Sequence, residues 1–118
     1  MSRRTDRMSD VVRAELSELI MRQLHDPRVK LVSIVAVELS PDLRHAEVRV
    51  SALGDEGERL AAIDGLTHAR GFLRSELAHR LHTRVTPELT FKLDRGAEHS
   101  QRISDLLESL HERDDESA

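Results

Sequence analysis

The first quarter of the chain has the apolar spacing of an amphipathic helix. Between Asp6 and Leu24, apolar residues recur every three or four positions, which places them on one helical face. Thr5 and Ser9 are candidate N-caps, because a hydroxyl at that position accepts a hydrogen bond from a backbone N–H of the first turn. Pro27 is expected to end the helix. The predicted buried stripe comprises Met8, Val12, Leu16, Leu19, Ile20 and Leu24.

After the helix, the spacing of apolar residues changes to the pattern expected for β-strands. Residues 31–40 are rich in β-branched residues and apolar on both faces, whereas residues 45–53 alternate between apolar and polar positions. The sequence PDLR between the two segments contains the proline and aspartate of a turn, so a β-hairpin is predicted. The face of the second strand expected to be buried comprises Ala46, Val48, Val50 and Ala52.

A second helical region, a third strand and a last helix follow. The helical region covers residues 59–82, after a short acidic loop. Pro87 precedes the third strand, residues 88–94, in which apolar and polar positions alternate again. The last helix covers residues 98–111, on an apolar stripe of Ile103, Leu106, Leu107 and Leu110.

This order of elements predicts an α+β fold. A hairpin followed by a right-handed helical crossover places the third strand parallel to the second, giving a three-stranded mixed sheet with helices packed on it. Residues 1–112 are expected to form one domain, and residues 113–118 an acidic disordered tail. Neither a signal peptide nor a membrane-spanning segment is apparent, so we expect a soluble cytoplasmic protein.

Gly71 interrupts the second helical region, at a cost of about 1 kcal/mol relative to alanine. In a straight helix, Arg70 would lie on the leucine-rich buried face while Phe72 pointed outward. A kink at Gly71 would release the guanidinium to solvent, turn the phenyl ring inward and present backbone N–H groups to a phosphate. The alternative is a glycine that only allows close helix–sheet packing, beside a solvated basic face. The leucine-rich face comprises Leu73, Leu77 and Leu81.

The formal net charge is −4, but the charge is unevenly distributed. Residues 96–118 contain two arginines and seven acids, which leaves a balance of +1 in residues 1–95. Arginine supplies sixteen of the eighteen basic residues, and its planar guanidinium suits phosphate oxygens. The local basic patches are Arg3, Arg4 and Arg7 at the start of the chain, and Arg70, Arg74, Arg80 and Arg84 further on.

The sequence gives little indication of catalysis, of cofactor or metal binding, or of base stacking. Cysteine is absent, and no Ser/His/Asp, HExxH, P-loop or dinucleotide motif occurs, so neither catalysis nor a cofactor is predicted. The acidic GxxG at residues 54–57 is expected to be a polar turn rather than a phosphate clamp. His79 and His82 lack a third metal ligand and are expected to face solvent. Phe72 and Phe91, the two aromatic residues, are expected in the core, so base stacking is not predicted.

Three blocks of sequence, in order, resemble the ribosome-binding factor A family of bacterial small-subunit assembly proteins. The blocks are LHDPRVKLVSIVAVELSPDLRHAEVRVSALGDE, ARGFLRSELAHRLHTRVTPELTFKLD and RISDLLESL. The resemblance covers residues 4–112 and implies a type II K-homology-like (KH-like) fold. In that fold a helix-kink-helix with an Ala-x-Gly signature, here Ala69, Arg70 and Gly71, replaces the usual glycine loop.

The resemblance also implies a function without catalysis. The expected partners are the free 30S ribosomal subunit and its 16S rRNA during late maturation, around processing of the 5′ end of that RNA, with support of growth in the cold. We expect a monomer with neither a membrane nor a small molecule as partner. The alternative is a protein-interaction or oligomerisation module that does not bind RNA and uses a sheet edge or the last helix.

The residues expected to contact RNA fall into three groups. They are Ala69, Arg70, Gly71 and Arg74 of the kinked helix; Arg3, Arg4 and Arg7 of a basic N-terminal arm; and Arg28, Lys30, Arg80 and Arg84 as outer contacts.

Overall fold

The computed structural model describes residues 3–96, 106–108 and 110. A long helix opens the chain, a hairpin and two consecutive helices follow, and a third strand completes the sheet. The elements are α1 (Arg3–Gln23), a 3-10 helix (Pro27–Val29), β1 (Val32–Leu39), β2 (His45–Ala52), α2 (Glu56–His68), α3 (Arg70–Arg80) and β3 (Glu88–Leu93).

The sheet has the predicted topology. Its strand order is β1-β2-β3, with β1 antiparallel and β3 parallel to β2. His45 is in register with Glu88, so the beginnings of β2 and β3 lie side by side at one end of the sheet. The register of β1 against β2 shifts between Ile34 and Ala36, which leaves Val35 as a bulge on an edge strand. The mixed sheet and the α+β fold class are confirmed.

The core lies between one face of the sheet and the helices. The alternating residues of β2 predicted to be buried are all buried, and Ala46, Val48 and Val50 belong to one core cluster with leucines of α1, α2 and α3. The opposite face of the sheet carries ion pairs between strands, because its residues face water. Those pairs are Glu38 with Arg49 and Glu47 with Lys92, and Nδ1 of His45 lies 3.8 Å from Oε2 of Glu88.

The ends of α1 differ from the prediction. The helix begins at Arg3, so Thr5 and Ser9 lie inside it and neither is its N-cap. Arg3, Arg4 and Arg7 therefore belong to the first turns of a helix rather than to a separate arm. The helix ends at Gln23, before Pro27, which instead occupies the first position of the 3-10 helix, where its fixed φ and missing N–H are tolerated.

The break in the second helical region lies at Ala69, two residues before the glycine. Ala69 has φ −84° and ψ 0°, a conformation that ends α2 and begins α3. The kink is thus confirmed, but its predicted position at Gly71 is wrong. Phe72 is 43% exposed, so the prediction that the kink turns this ring inward is also wrong. Leu73, Leu77 and Leu81 are buried as predicted.

The predicted last helix falls largely outside the described residues. Leu106, Leu107, Glu108 and Leu110 are helical, and all are exposed. The acidic segment 113–118 lies outside the described part of the chain. None of the helices that the structure describes combines the length and apolar character that a membrane crossing requires.

Candidate nucleic-acid interface

A cleft of about 260 Å³ lies where the first turn of α3 approaches the beginning of β3. We call it the α3–β3 cleft. Its lining consists of Arg70, Gly71, Arg74, Glu88, Leu89 and Thr90. The crossover brings these segments together, because α3 must pass over the sheet before the chain re-enters it as β3. The structure therefore places Arg70, Gly71 and Arg74 of the sequence prediction around one concave surface.

A second cleft, of about 440 Å³, shares Arg74 and Glu88 with the first. It lies between the loop after α3 and the start of β2, so we call it the loop cleft. Its lining consists of Arg44, His45, Arg74, Arg84, Val85, Thr86 and Glu88. The two clefts are adjacent, because they share Arg74 and Glu88, and four exposed arginines line them. We call Arg44, Arg70, Arg74 and Arg84 the basic surface.

The charges of the basic surface are not neutralised by neighbouring acids. Within the part of the chain that the structure describes, none of its four arginines forms an ion pair. Arg74 donates a hydrogen bond from Nη2 to the carbonyl oxygen of Thr86 at 3.1 Å, which orients the guanidinium without cancelling its charge. Glu88 is the single carboxylate lining either cleft, and its Oε2 lies 3.8 Å from Nδ1 of His45.

The first turn of α3 adds a favourable dipole and open space. The methyl side chain of Ala69 makes no capping hydrogen bond to the helix, and the N-terminal end of a helix carries partial positive charge. Apart from its two chain neighbours and the backbone of its own helix, a Cβ placed on Gly71 would meet no atom within 4 Å. The alternative, in which the glycine only allows helix–sheet packing, is therefore wrong, because no other element packs against it. The space beside it is open to a ligand.

Two predicted outer contacts are held by carboxylates. Arg80 Nη1 lies 2.9 Å from Glu15 and 3.6 Å from Glu18 of α1, and the hydrogen bond to Glu15 raises the pKa of the guanidinium. Arg28 lies 2.7 Å from Asp26, whose pKa it lowers by hydrogen bonding. Neither arginine lines the α3–β3 cleft or the loop cleft.

The remaining predicted contacts lie on other parts of the surface. Arg4 and Arg7 line a shallow groove on α1 together with Met8 and Val11. Lys30 is exposed beside an apolar groove between α1 and β1. Ala69 forms the break itself and packs partly against the core. The side chain of Arg3 lies outside the described part of the structure.

Sequence reasoning missed Arg44 and His45. Both lie at the end of the PDLR turn, far in sequence from α3, and they reach the basic surface because β2 and β3 start at the same end of the sheet. The predicted parallel pairing of these strands was the signal that could have placed them there.

The other candidate motifs have structural explanations. The GxxG at residues 54–57 forms the start of α2, where Asp55 and Glu58 make a reciprocal capping box. It follows the end of β2, whereas the clefts lie at the strand's beginning. His79 and His82 are both exposed, and no group of three potential metal ligands occurs among residues 3–96 and the described part of the last helix.

Comparison with known proteins places the chain in a family. The family model described as Ribosome-binding factor A matches residues 4–107. The chain belongs to the ribosome-binding factor A family. A relative named ribosome-binding factor A, from Thermomicrobium roseum, is 46% identical over 119 residues, which cover 99% of this chain and 92% of the relative.

Solved structures of the family share the fold. The crystal structure of ribosome-binding factor A from Thermus thermophilus has a TM-score of 0.70 and 32% identity, covering 78% of this chain and 97% of that one. A homology-built Thermus thermophilus protein, fitted into a cryo-electron-microscopy map of a 30S complex, has a TM-score of 0.60 and 33% identity, covering 73% and 90%. A KH-like fold is consistent with these solved structures.

Proposed function

We propose that this chain is a non-catalytic assembly factor that binds the 30S ribosomal subunit and its 16S rRNA in the cytoplasm. Residues 1–112 form one functional domain, and the protein acts as a monomer. It acts during late maturation, around processing of the 5′ end of the RNA, and supports growth in the cold. The family resemblance and the relative fitted into a 30S complex support the choice of partner.

The observation that carries the proposal is the unneutralised basic surface. Four exposed arginines surround two clefts that contain one carboxylate. Guanidinium groups bind phosphate oxygens in a planar, two-pronged geometry, so this surface is suited to the phosphates of a nucleic-acid backbone. Arg70 and Arg74 lie beside the open space at Gly71, which allows the sugar–phosphate chain to come close to the helix.

Such a surface acts by binding alone. A factor that binds one conformation of the RNA more tightly than another shifts the population toward the first, by no more than the difference in binding free energy. Phosphate contacts position the protein on the RNA and need no catalytic group. Arg4, Arg7, Arg28, Lys30 and Arg80 are outer contacts in this proposal, with Arg28 and Arg80 available only after their ion pairs open.

The test is a titration of immature 30S subunits with the wild type and an Arg70→Glu, Arg74→Glu double variant. We expect the reversal to weaken binding at least tenfold. The salt dependence of log K should become shallower by roughly 0.7–0.9 for each phosphate that the variant no longer neutralises. Circular dichroism and urea unfolding show whether the variant is folded.

The matched control is an Arg13→Glu, Arg22→Glu double variant, which makes the same change of net charge on exposed positions of α1. Arg22 has a side chain that is 71% exposed, and neither residue lines a cleft of the basic surface. Equal weakening by both double variants would indicate a long-range charge effect. Equal affinity of the wild type and a folded Arg70/Arg74 variant would exclude the basic surface as the site.

One observation favours the alternative of a protein-interaction module. An apolar groove of about 350 Å³ lies between α1 and β1, and Met21 beside it is 76% exposed. Sedimentation of cell lysate separates the two functions. Co-migration with free 30S subunits supports the assembly factor, whereas a stable homo-oligomer that ignores ribosomal particles supports the alternative.

A further inference from the structure

We propose that Phe72 stacks on an unpaired base of the bound RNA, so that the site takes a single-stranded or unstacked nucleotide rather than a continuous duplex. This inference rests on the proposed function and specifies the class of RNA that the same site binds. It reverses the expectation from the sequence, which assigned both phenylalanines to the core.

Phe72 is one of several exposed large hydrophobic residues, and it is the exposed member of the two phenylalanines. The protein has two phenylalanines and neither tyrosine nor tryptophan, and the other aromatic residue, Phe91, is buried. Phe72 is 43% exposed and does not belong to the hydrophobic core cluster. An exposed phenyl ring forgoes part of the free energy of burial and gives no advantage in helix propensity over alanine or glutamate.

The position of the ring relative to the arginines carries the argument. Successive residues in a helix are about 100° apart around the axis, so Arg70 and Phe72 project to either side of Gly71. Arg70, Gly71 and Arg74 line the α3–β3 cleft, whereas Phe72 does not. Its helical position places it on the other side of the glycine. Apart from Arg70, Phe72 and the backbone of its own helix, a Cβ at Gly71 would meet no atom within 4 Å, so no other described side chain covers the glycine between them.

A nucleotide has the matching layout of charge and ring. Its phosphate is anionic and its base is a flat aromatic ring on the other side of the sugar. A strand that crosses Gly71 with its phosphate toward Arg70 and Arg74 directs the base toward Phe72. A base paired and stacked inside a duplex cannot present its face in this way, so the arrangement selects an unstacked nucleotide.

The first experiment compares three substitutions at residue 72 in the titration of immature 30S subunits. Phe72→Trp and Phe72→Tyr keep an aromatic face, whereas Phe72→Leu keeps apolar area without one. We expect tryptophan and tyrosine to bind within about threefold of the wild type and leucine to bind about five- to a hundredfold more weakly. Equal affinities for the leucine and tryptophan variants would overturn the stacking proposal.

The second experiment uses the absence of tryptophan from the chain. Phe72→Trp creates a single fluorophore, and stacking on a base is expected to quench its emission when protein-free 16S rRNA is added, at low salt where sedimentation shows association. Leu60→Trp is the control, because Leu60 is 48% exposed on α2 and lines neither cleft. Equal quenching at both positions, or none at residue 72, would contradict the assignment.

The results of these experiments distinguish failure of the stacking proposal from failure of the proposed function. If the Arg70→Glu, Arg74→Glu variant binds weakly while Phe72→Leu binds normally, the basic surface stands and stacking is wrong. If Phe72→Leu weakens binding to the particle but protein-free rRNA leaves the emission of Phe72→Trp unchanged, the ring contacts a ribosomal protein and the proposal also fails. If the arginine reversal has no effect, the proposed RNA site itself is wrong.

Discussion

Arg80 and Glu15 join α3 to α1 through an ion pair with 2.9 Å between Nη1 and Oε2. The two side chains are 27% and 32% exposed, so the pair is partly shielded from water. Glu18 adds a second carboxylate at 3.6 Å. An arginine chosen from the sequence as an RNA contact thus has a structural partner within the protein.

We expect Arg80→Met to lower the free energy of unfolding by about 1 kcal/mol, since methionine keeps the apolar stem but loses the ion pair. Urea denaturation measures the change, and a double-mutant cycle with Glu15→Gln isolates the pair. Arg84→Met, at an exposed position of the basic surface, is expected to change stability by less than about 0.5 kcal/mol. If Arg80→Met left stability intact but weakened 30S binding as much as Arg74→Met, Arg80 would act as an RNA contact alone, without the structural role that its ion pair indicates.

The glycines of α2 and α3 are expected to respond oppositely to alanine. A Cβ on Gly71 meets open space, so Gly71→Ala should gain up to about 1 kcal/mol of stability from helix propensity. A Cβ on Gly65 would lie 3.0 Å from Cγ1 of Val29, and overpacking costs about 1–3 kcal/mol, so Gly65→Ala should lose stability overall. Thermal unfolding checks both.

Binding gives the second readout for the same pair of glycine variants. If RNA approaches the helix at Gly71, the added methyl group of the Gly71→Ala variant should weaken its binding to 30S subunits, even though the variant protein is more stable than the wild type. A Gly71→Ala protein that is both more stable and fully competent to bind would show that the glycine is not needed for contact.

The topology of the sheet could be predicted from the sequence, whereas the candidate site could be predicted only in part. The strict alternation of residues 45–53 set the buried face of β2, and the handedness of the crossover set the position of β3. The exposure of Phe72 did not follow, because the kink was placed at Gly71. The break lies at Ala69, so Phe72 and the buried Leu73 and Leu77 belong to one helix, and its phase leaves Phe72 outward. The ion pair between Arg80 and Glu15 joins residues far apart in sequence, and local patterns do not report such contacts.

We expect the protein to lose stability in acid when the hydrogen-bonded carboxylate of Asp26 is protonated. Its pKa lies below the ordinary value of 3.8, chiefly because Arg28 donates side-chain and backbone hydrogen bonds to it. A depressed pKa in the folded state means that this contribution is complete above about pH 5 and is lost as the pH falls through the lowered value. The stability advantage of the wild type over Asp26→Asn should therefore shrink as the pH falls below about 5 and through the lowered pKa.

Urea unfolding across this pH range tests the prediction, and NMR titration of the Asp26 carboxyl gives its pKa directly. Asp10→Asn is the control, since Asp10 is exposed on α1 and forms no ion pair within the described part of the chain. An advantage over Asp26→Asn that stayed constant throughout the acid range would contradict the hydrogen-bonded assignment.

Glu88 is expected to oppose RNA binding, because it is the single carboxylate lining either cleft of the basic surface. Glu88→Gln keeps the size of the side chain and removes the charge that repels phosphate, so 30S affinity should rise about two- to tenfold at low salt, and less at high salt. Glu47→Gln is the matched control, since Glu47 lies on the same open face of the sheet but pairs with Lys92 at 3.6 Å. Weaker binding by Glu88→Gln would instead indicate that the carboxylate accepts a hydrogen bond from the RNA, such as one from a ribose 2′-hydroxyl.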